Sequence, residues 1–483
     1  MLLNLQDAEG PLHRRIYDGL KSAIRAGRLG PGARLPSTRT LAADLNVSRN
    51  TVALAYEQLV AEGYVVARRR SMMSVADIMP PRRQPPPTPK KRKFQPRLSA
   101  YGRRLIEKRD MPPSGSYAKR PGLRYDFRYG QPAMDEFPRE LWRKLLAARV
   151  RRSSPGSFGY GPPSGFGPLR EALTEYLARA RGLSCSAEQI VIVNGSQQAF
   201  DLIARLLIDP GDNVVIEEPH YHGSSLTFQA AGAKLIGIPV DAEGLDTTKL
   251  PIKNHVRLCS VTPCHQFPTG VIMPLARRMA LLEWAYRAGA WVVEDDYVSE
   301  FRYEGHPIEA LQALDHGGQV IYVGTFSKIL FPALRLAYVV LPTALVRPFL
   351  AAKWMADRYT TMLGQEAITD FIKTGQFERY LRRACIRNGK RRQALIEALH
   401  QQFGKRVEIA GENAGVHLLV WLSDVRPREV ESVIMRAAHV GVGVYSVTPY
   451  YSRPPHRAGL LFGYASLSEA DIRVGIRRLG DVV

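Results

Sequence analysis

The sequence predicts a multidomain chain: a small basic helical head, a proline-rich tether, and a large α/β body on a mostly parallel sheet. Three observations predict it. The 483 residues carry 67 Lys+Arg against 45 Asp+Glu, a formal net charge of +22. That excess is front-loaded, with 24 basic and 9 acidic side chains in residues 1–123 but 43 and 36 in the rest, as suits a head that meets a polyanion. Residues 77–97 hold seven prolines and seven Lys/Arg, with Asp77 the only acid, and such a stretch favours extended, solvated conformations over a core. From about residue 124, short apolar runs alternate with stretches of helical length, the pattern of parallel strands covered by helices. The expected boundaries are 1–76 for the head, 77–123 for the tether and 124–483 for the body.

Other classes are disfavoured. Cys185, Cys259, Cys264 and Cys385 lack CxxC spacing, which argues against a zinc site or a disulfide framework. The start, Met-Leu-Leu-Asn-Leu-Gln-Asp, has no charged segment leading into an apolar run. No stretch of 18 uncharged apolar residues occurs. A cytoplasmic protein without membrane contact is expected, nucleoid-associated when bound to DNA.

In the head, residues 11–26 place apolar side chains at helical spacing up to Gly27. Ser37 is suited to cap a short helix reaching Leu45, Asn46-Val47 to turn, and Ser48 to cap a second helix running to about Glu62, with Gly63 as its stop. Val52, Ala55, Tyr56 and Leu59 share one face of that helix. Ser48, Arg49, Asn50 and Thr51 crowd its N-terminal end, where a recognition helix meets base edges and phosphates. Tyr64-Val65-Val66 reads as a strand, and Arg68-Arg69-Arg70 then lies where a wing reaches DNA. The basic run Lys90–Lys93 of the tether either adds phosphate attraction or serves only as a solvated spacer.

In the body, residues 169–181 and 196–207 read as helices, and 190–193, 213–216, 256–261, 291–294, 319–323 and 336–341 as strands. Asn194-Gly195-Ser196-Gln197 follows a strand and opens a helix, so backbone N–H groups and the Ser196 hydroxyl face an anion there. Tyr221, after Glu218-Pro219-His220, offers a flat ring for stacking or a plain core tyrosine. Asp295, at the end of a strand, either holds a protonated ring nitrogen or caps a helix. Lys328 lies in Gly-Thr-Phe-Ser-Lys, between apolar runs, with Thr325 and Ser327 close by and Arg335 seven residues on. Burial and a neighbouring cation disfavour its ammonium form. A neutral amine there can form a Schiff base, and the hydroxyls with Arg335 can seat a phosphate dianion. Together these are the needs of pyridoxal 5'-phosphate.

Two resemblances rest on these residues. Residues 31–52 resemble the winged helix-turn-helix of the GntR family, with Pro-Gly-x-x-Leu-Pro-Ser-x-Arg-x-Leu-Ala and Val-Ser-Arg-x-Thr-Val almost unchanged. That resemblance implies double-stranded operator DNA as partner and Arg39, Ser48, Arg49 and Asn50 as contacts, beside Thr51, Arg68 and Arg69. The wing tip departs from the pattern, with Ser71-Met72-Met73 where glycine is usual. Residues 124–483 resemble fold-type I aminotransferases of class I, which implies a large domain with a mostly parallel sheet and a smaller C-terminal α+β domain. By that resemblance Lys328 forms the Schiff base, Asp295 pairs with the pyridine nitrogen, Tyr297 approaches the ring hydroxyl and Tyr221 stacks. Gly195, Ser196, Gln197, Thr325, Ser327 and Arg335 take the phosphate, and Tyr160 reaches the phosphate of a partner subunit in a homodimer.

Two positions depart from aminotransferases. Phe267 stands where their Pro-Thr-Gly motif carries asparagine, and the late strand Gly-Leu-Leu-Phe-Gly-Tyr-Ala lacks the arginine that grips a substrate carboxylate. Arg457 or Arg453 is the substitute this reading offers. The whole layout resembles the MocR subfamily of GntR regulators. It implies a DNA-binding transcriptional regulator that senses a small amine, an amino acid or a B6 vitamer by aldimine exchange at Lys328. Partial or vestigial aminotransferase activity fits the same residues. An active aminotransferase with an appended DNA-binding domain, or a sensor of pyridoxal phosphate itself, are the competing readings.

Overall fold

The computed structural model describes residues 10–68, 72–77, 97–107, 122–153, 159–252, 255–305 and 308–483. Arg69, Arg70, Lys90–Lys93 and most of the expected tether lie outside the described residues, as does the side chain of Arg68. The chain divides into two compact units, residues 1–97 and 98–483.

The first unit holds helices Leu12–Arg25, Thr38–Asp44 and Arg49–Ala61 and antiparallel strands Val65–Arg68 and Met72–Val75. Its boundaries follow local chemistry. Ser37 Oγ accepts from Thr40 N and Ser48 Oγ from Thr51 N, both at 3.1 Å, so each helix start loses an orphan donor. Between them Asn46 adopts φ +51°, a left-handed turn that asparagine tolerates. Ile16, Leu20, Ile24, Val52, Tyr56, Leu59 and Val75 form one buried core. Met72 and Met73, expected at the wing tip, are instead in the returning strand opposite Arg68 and Ala67. The half-buried Met73 packs against that core, which sets the register.

In the second unit, helix Ala100–Glu107 falls inside the stretch read as tether. Arg104 anchors it by donating to Ala230 O at 2.8 Å and Ala231 O at 3.2 Å, carbonyls at the C-terminal end of helix His222–Ala231, where a cation is favoured. An eight-stranded sheet follows in the spatial order Ile190–Val193, Ala337–Val340, Val320–Thr325, Trp291–Asp296, Val256–Val261, Asn213–Glu218, Lys234–Asp241, Gly244–Leu245. The five strands from Val320–Thr325 to Lys234–Asp241 pair in parallel. Ala337–Val340 runs antiparallel to both of its neighbours. Strand Lys234–Asp241 went unread in the sequence because Gly237 and Pro239 break its apolar run. A second sheet, Val407–Ala410, His417–Leu422, Ala458–Gly463 and Tyr445–Ser446, is antiparallel. Helices Gln376–Phe403 and Glu469–Gly480 share its core, which makes the smaller α+β region. The C-terminal ends of the central parallel strands carry the polar residues, where open sheets of this kind bind ligands.

Candidate functional site

Strand Val320–Thr325 ends just before Lys328, and the turn is tied by Ser327 N donating to Thr325 Oγ1 at 3.1 Å. Lys328 Nζ donates to Gly130 O at 2.9 Å. Burial lowers the pKa of this amine, and the nearby Asp295 charge opposes that shift. Asp295 lies on the adjacent strand in register with Val323. Its carboxyl is pushed up to about 8 by burial, with repulsion from Asp296 and Glu217 adding and Lys328 opposing. Glu217, at the end of strand Asn213–Glu218, is raised to about 7 by burial although Thr262 Oγ1 donates to it at 2.6 Å and Gln266 Nε2 at 3.1 Å.

Strand alternation explains why Asp295 alone of its run faces the pocket. Glu294 accepts from Leu311 N at 2.8 Å and Gln312 N at 2.9 Å. Asp296 is paired with Arg181 at 2.9 Å and accepts from Tyr322 Oη at 2.7 Å. Asp295 has no hydrogen-bond partner among the described residues, and it caps no helix.

The second part of the site is an anion cup. Gly195 has φ +85°, and a Cβ there would meet Arg335 Nη2 at 2.8 Å, so both the turn and the close guanidinium require glycine. Arg335 donates to Asn194 O at 2.8 Å. Asp357 holds the loop from behind: it accepts from Asn194 Nδ2 at 2.5 Å, Gln198 Nε2 at 2.8 Å and the buried Lys353 at 2.8 Å. Ser196 opens helix Ser196–Leu207 as expected. The Gln197 side-chain amide donates to Gly223 O at 3.1 Å and Thr227 Oγ1 at 2.6 Å on the next helix, which leaves its backbone N–H at the helix start as the group that would face an anion.

The third part is aromatic. The Phe267 ring sits 4.8 Å from Tyr450, 5.5 Å from His417, 5.7 Å from Tyr221, 6.0 Å from Tyr129 and 6.3 Å from Tyr297, centroid to centroid. The Tyr297 hydroxyl donates to His265 O at 3.1 Å. Burial drives His417 down to about 4, with the Lys328 charge lowering it further and its contact with Pro268 O opposing. His265 is held well below its ordinary value by burial and by His417, so both rings are neutral near pH 7.

Arg457, read as a grip for an acid group, is exposed. Gly463, at one end of strand Ala458–Gly463, abuts Tyr129, whereas Arg457 precedes the other end, about 20 Å away by strand rise. There it pairs with Glu408 at 2.5 Å and lies 4.9 Å over the Trp421 ring. Arg453 is exposed on the loop after Tyr450, next to Ser452, whose N–H donates to Glu218 at 2.6 Å. Tyr160 is 91% exposed and edge-on to Tyr359 at 6.0 Å. Gly130, Tyr129, Glu217, His417, Tyr450 and Asp357 were missed as site residues, because each reaches the pocket from a distant part of the chain.

In the head, Arg39, Arg49 and Asn50 are exposed around the start of helix Arg49–Ala61, with Arg49 Nε 3.4 Å from Thr38 Oγ1. Ser48 and Thr51 are engaged with each other, hydroxyl to hydroxyl at 2.7 Å as well as through the cap.

Residues 127–479 match the family "Aminotransferase class I and II", and residues 12–75 match "Bacterial regulatory proteins, gntR family". Across 482 residues, 99% of this chain and 95% of the relative, the chain is 36% identical to the probable rhizopine catabolism regulatory protein MocR of Rhizobium meliloti. The chain belongs to the MocR subfamily of GntR transcriptional regulators. Its body is similar to the crystal structure of Pyrococcus horikoshii kynurenine aminotransferase in complex with PMP, with a TM-score of 0.69, 30% identity and coverage of 81% of this chain and 96% of that one. It is also similar to LysN, the α-aminoadipate aminotransferase of Thermus thermophilus, complexed with N-(5'-phosphopyridoxyl)-L-leucine, at TM-score 0.69 and 28% identity over 80% of this chain and 94% of that one. Among the described residues no helix is long and apolar enough to cross a membrane.

The raised carboxyl of this MocR-type regulator has a measurable consequence. An acid whose pKa rises on folding stabilises the fold below its unfolded value near 3.8 and loses that contribution as pH climbs through about 8. Without ligand, urea unfolding should therefore show stability falling between pH 5.5 and pH 8, and Asp295→Asn should flatten that fall by about 1 kcal/mol or more. Equal slopes in the two proteins would show that Asp295 is not held protonated.

Proposed function

We propose that this regulator is a receptor that holds pyridoxal 5'-phosphate at Lys328 and reports the arrival of a small amine, amino acid or B6 vitamer to operator DNA. The observation that carries the proposal is the charge interaction of a desolvated Lys328 amine, just after strand Val320–Thr325, with an unpartnered Asp295 carboxyl on the neighbouring parallel strand.

The residues present fit the cofactor. When bound, pyridoxal phosphate supplies an aldehyde that captures amines and a pyridine nitrogen that a carboxylate can keep protonated. Asp295, costly to ionise alone, becomes a good anion opposite such a nitrogen. Gly195, the Ser196 helix terminus, Thr325, Ser327 and Arg335 form the phosphate seat. Asp357 keeps that seat in shape from behind. Tyr221 and Phe267 bound the ring. Tyr160, almost fully exposed, is suited to reach the phosphate seat of a second copy, which supports a homodimer.

With the cofactor bound, an effector amine would compete with Lys328 for the aldehyde, and a free Lys328 amine would have Gly130 O as a hydrogen-bond partner. An effector shifts the regulator only through its different affinity for two states of the body. Arg39, Arg49 and Asn50 supply the operator contacts, with Arg68 and Arg69 as wing contacts. A second reading, a working aminotransferase with a DNA-binding head, is favoured by the intact Lys328–Asp295 pair. Steady turnover of an amino donor and a keto acid at rates typical of enzymes would select it.

Lys328→Ala should abolish the lysine-dependent absorbance of added pyridoxal phosphate and remove the effector response in a DNA-shift assay, with basal operator binding retained. An effector response as in wild type would overturn the proposal. Arg49→Ala should weaken operator binding by about 1–3 kcal/mol and leave the cofactor spectrum unchanged. Unchanged operator affinity would remove Arg49 from the DNA contacts.

A further inference from the structure

The chemistry of the walls around Lys328 narrows the class of effector. The side facing the incoming ligand is built from Tyr129, Phe267, Tyr450 and His417, with the Tyr129 and Tyr450 hydroxyls hydrogen-bonded to each other. Behind these rings the late strand Ala458–Gly463 presents Leu461, fully buried with Leu419 and Val447 against Tyr129 and Tyr450. An apolar side chain therefore stands where that strand meets the pocket.

Three of the nearby cations among the described residues are already engaged, and a fourth, Arg453, lies exposed to water on the loop after Tyr450. Arg128, one residue before Tyr129, pairs with Asp126 at 3.1 Å and donates to Tyr445 Oη at 3.2 Å. Arg335 is engaged at the anion cup through Asn194 O. Arg457 is held by Glu408 at the far end of the strand. Burial also keeps His265 and His417 uncharged. A carboxylate brought against these walls would lose its water and meet no free buried arginine and no charged histidine among the described residues, a costly transfer. Aromatic faces with hydroxyls at their edges instead suit the C–H and O–H groups of a ligand without negative charge.

We infer that the effector is a primary amine that carries no carboxylate, lodged against Tyr129, Phe267 and Tyr450, and not an amino acid. This rests on the proposal that pyridoxal phosphate sits at Lys328, and it narrows the ligand classes left open there.

Full-length protein loaded with pyridoxal phosphate is titrated with two matched pairs, ethanolamine against L-serine and 2-phenylethylamine against L-phenylalanine, following the cofactor's absorbance. The members of each pair differ only in the carboxylate, and the two pairs differ in size. The expected result is at least tenfold tighter apparent binding of the carboxylate-free member in at least one pair, with the amino acid favoured in neither. The inference is overturned by equal or tighter binding of the amino acid in both pairs, while the proposed cofactor site stands. If the cofactor shows its Lys328-dependent band and none of the four compounds perturbs it, amine sensing fails together with the inference. Arg453→Ala should leave the ratio within each pair unchanged. A tenfold loss confined to the amino acids would reveal a carboxylate grip at Arg453 and overturn the inference.

Discussion

A half-buried amine and a buried carboxyl that share one pocket without a mutual hydrogen bond constrain everything else in the body. Lys328 and Asp295 are each destabilised in their charged forms by burial, and each charge partly relieves the other. The arrangement is tolerable because the other acids at these strand ends are handled separately. Glu294 meets two backbone N–H groups, Asp296 meets Arg181, and Glu217 is wrapped by Thr262 and Gln266. Parallel strands in register bring the groups together, and the period-two alternation of the strand decides which acid looks into the pocket. An aminotransferase framework is thus kept at its most expensive point even though the chain belongs to a family of transcriptional regulators.

Much of this was legible in local patterns. Ser37 and Ser48 announce helix starts because a cap is a contact over three residues, and both caps are present. The strands at 190–193 and 256–261 and the helix at 196–207 appear with the boundaries that their apolar periodicity predicts. The Lys328 and Asp295 neighbourhoods could be read because each lies at a strand end flanked by apolar runs. What escaped was assembled over long separations. Gly130 reaches Lys328 across 198 residues, and Asp357 reaches Asn194 across 163; neither has any local mark of its role.

Other side chains are held by partners that no local pattern announces. Arg457 precedes the late strand Ala458–Gly463 and pairs with Glu408, 49 residues upstream, a contact that sequence proximity does not reveal. Gln197 and Tyr297 sit in the expected loops, and their side chains also reach Thr227 and His265 O. Helix Ala100–Glu107 was hidden in a proline-rich, basic region because its reason to be ordered is a contact of Arg104 with carbonyls about 126 positions later.

The account treats Lys328 as the movable part of a receptor. Borohydride reduction of the pyridoxal-phosphate-loaded protein would test this most directly, because it seals the cofactor to the Lys328 nitrogen as a secondary amine. Operator affinity is then measured with and without an effector amine, before and after reduction. The account predicts that the unreduced protein changes its operator affinity with the amine and that the reduced protein binds the operator at one fixed affinity regardless of amine. An amine response that survives reduction would contradict it.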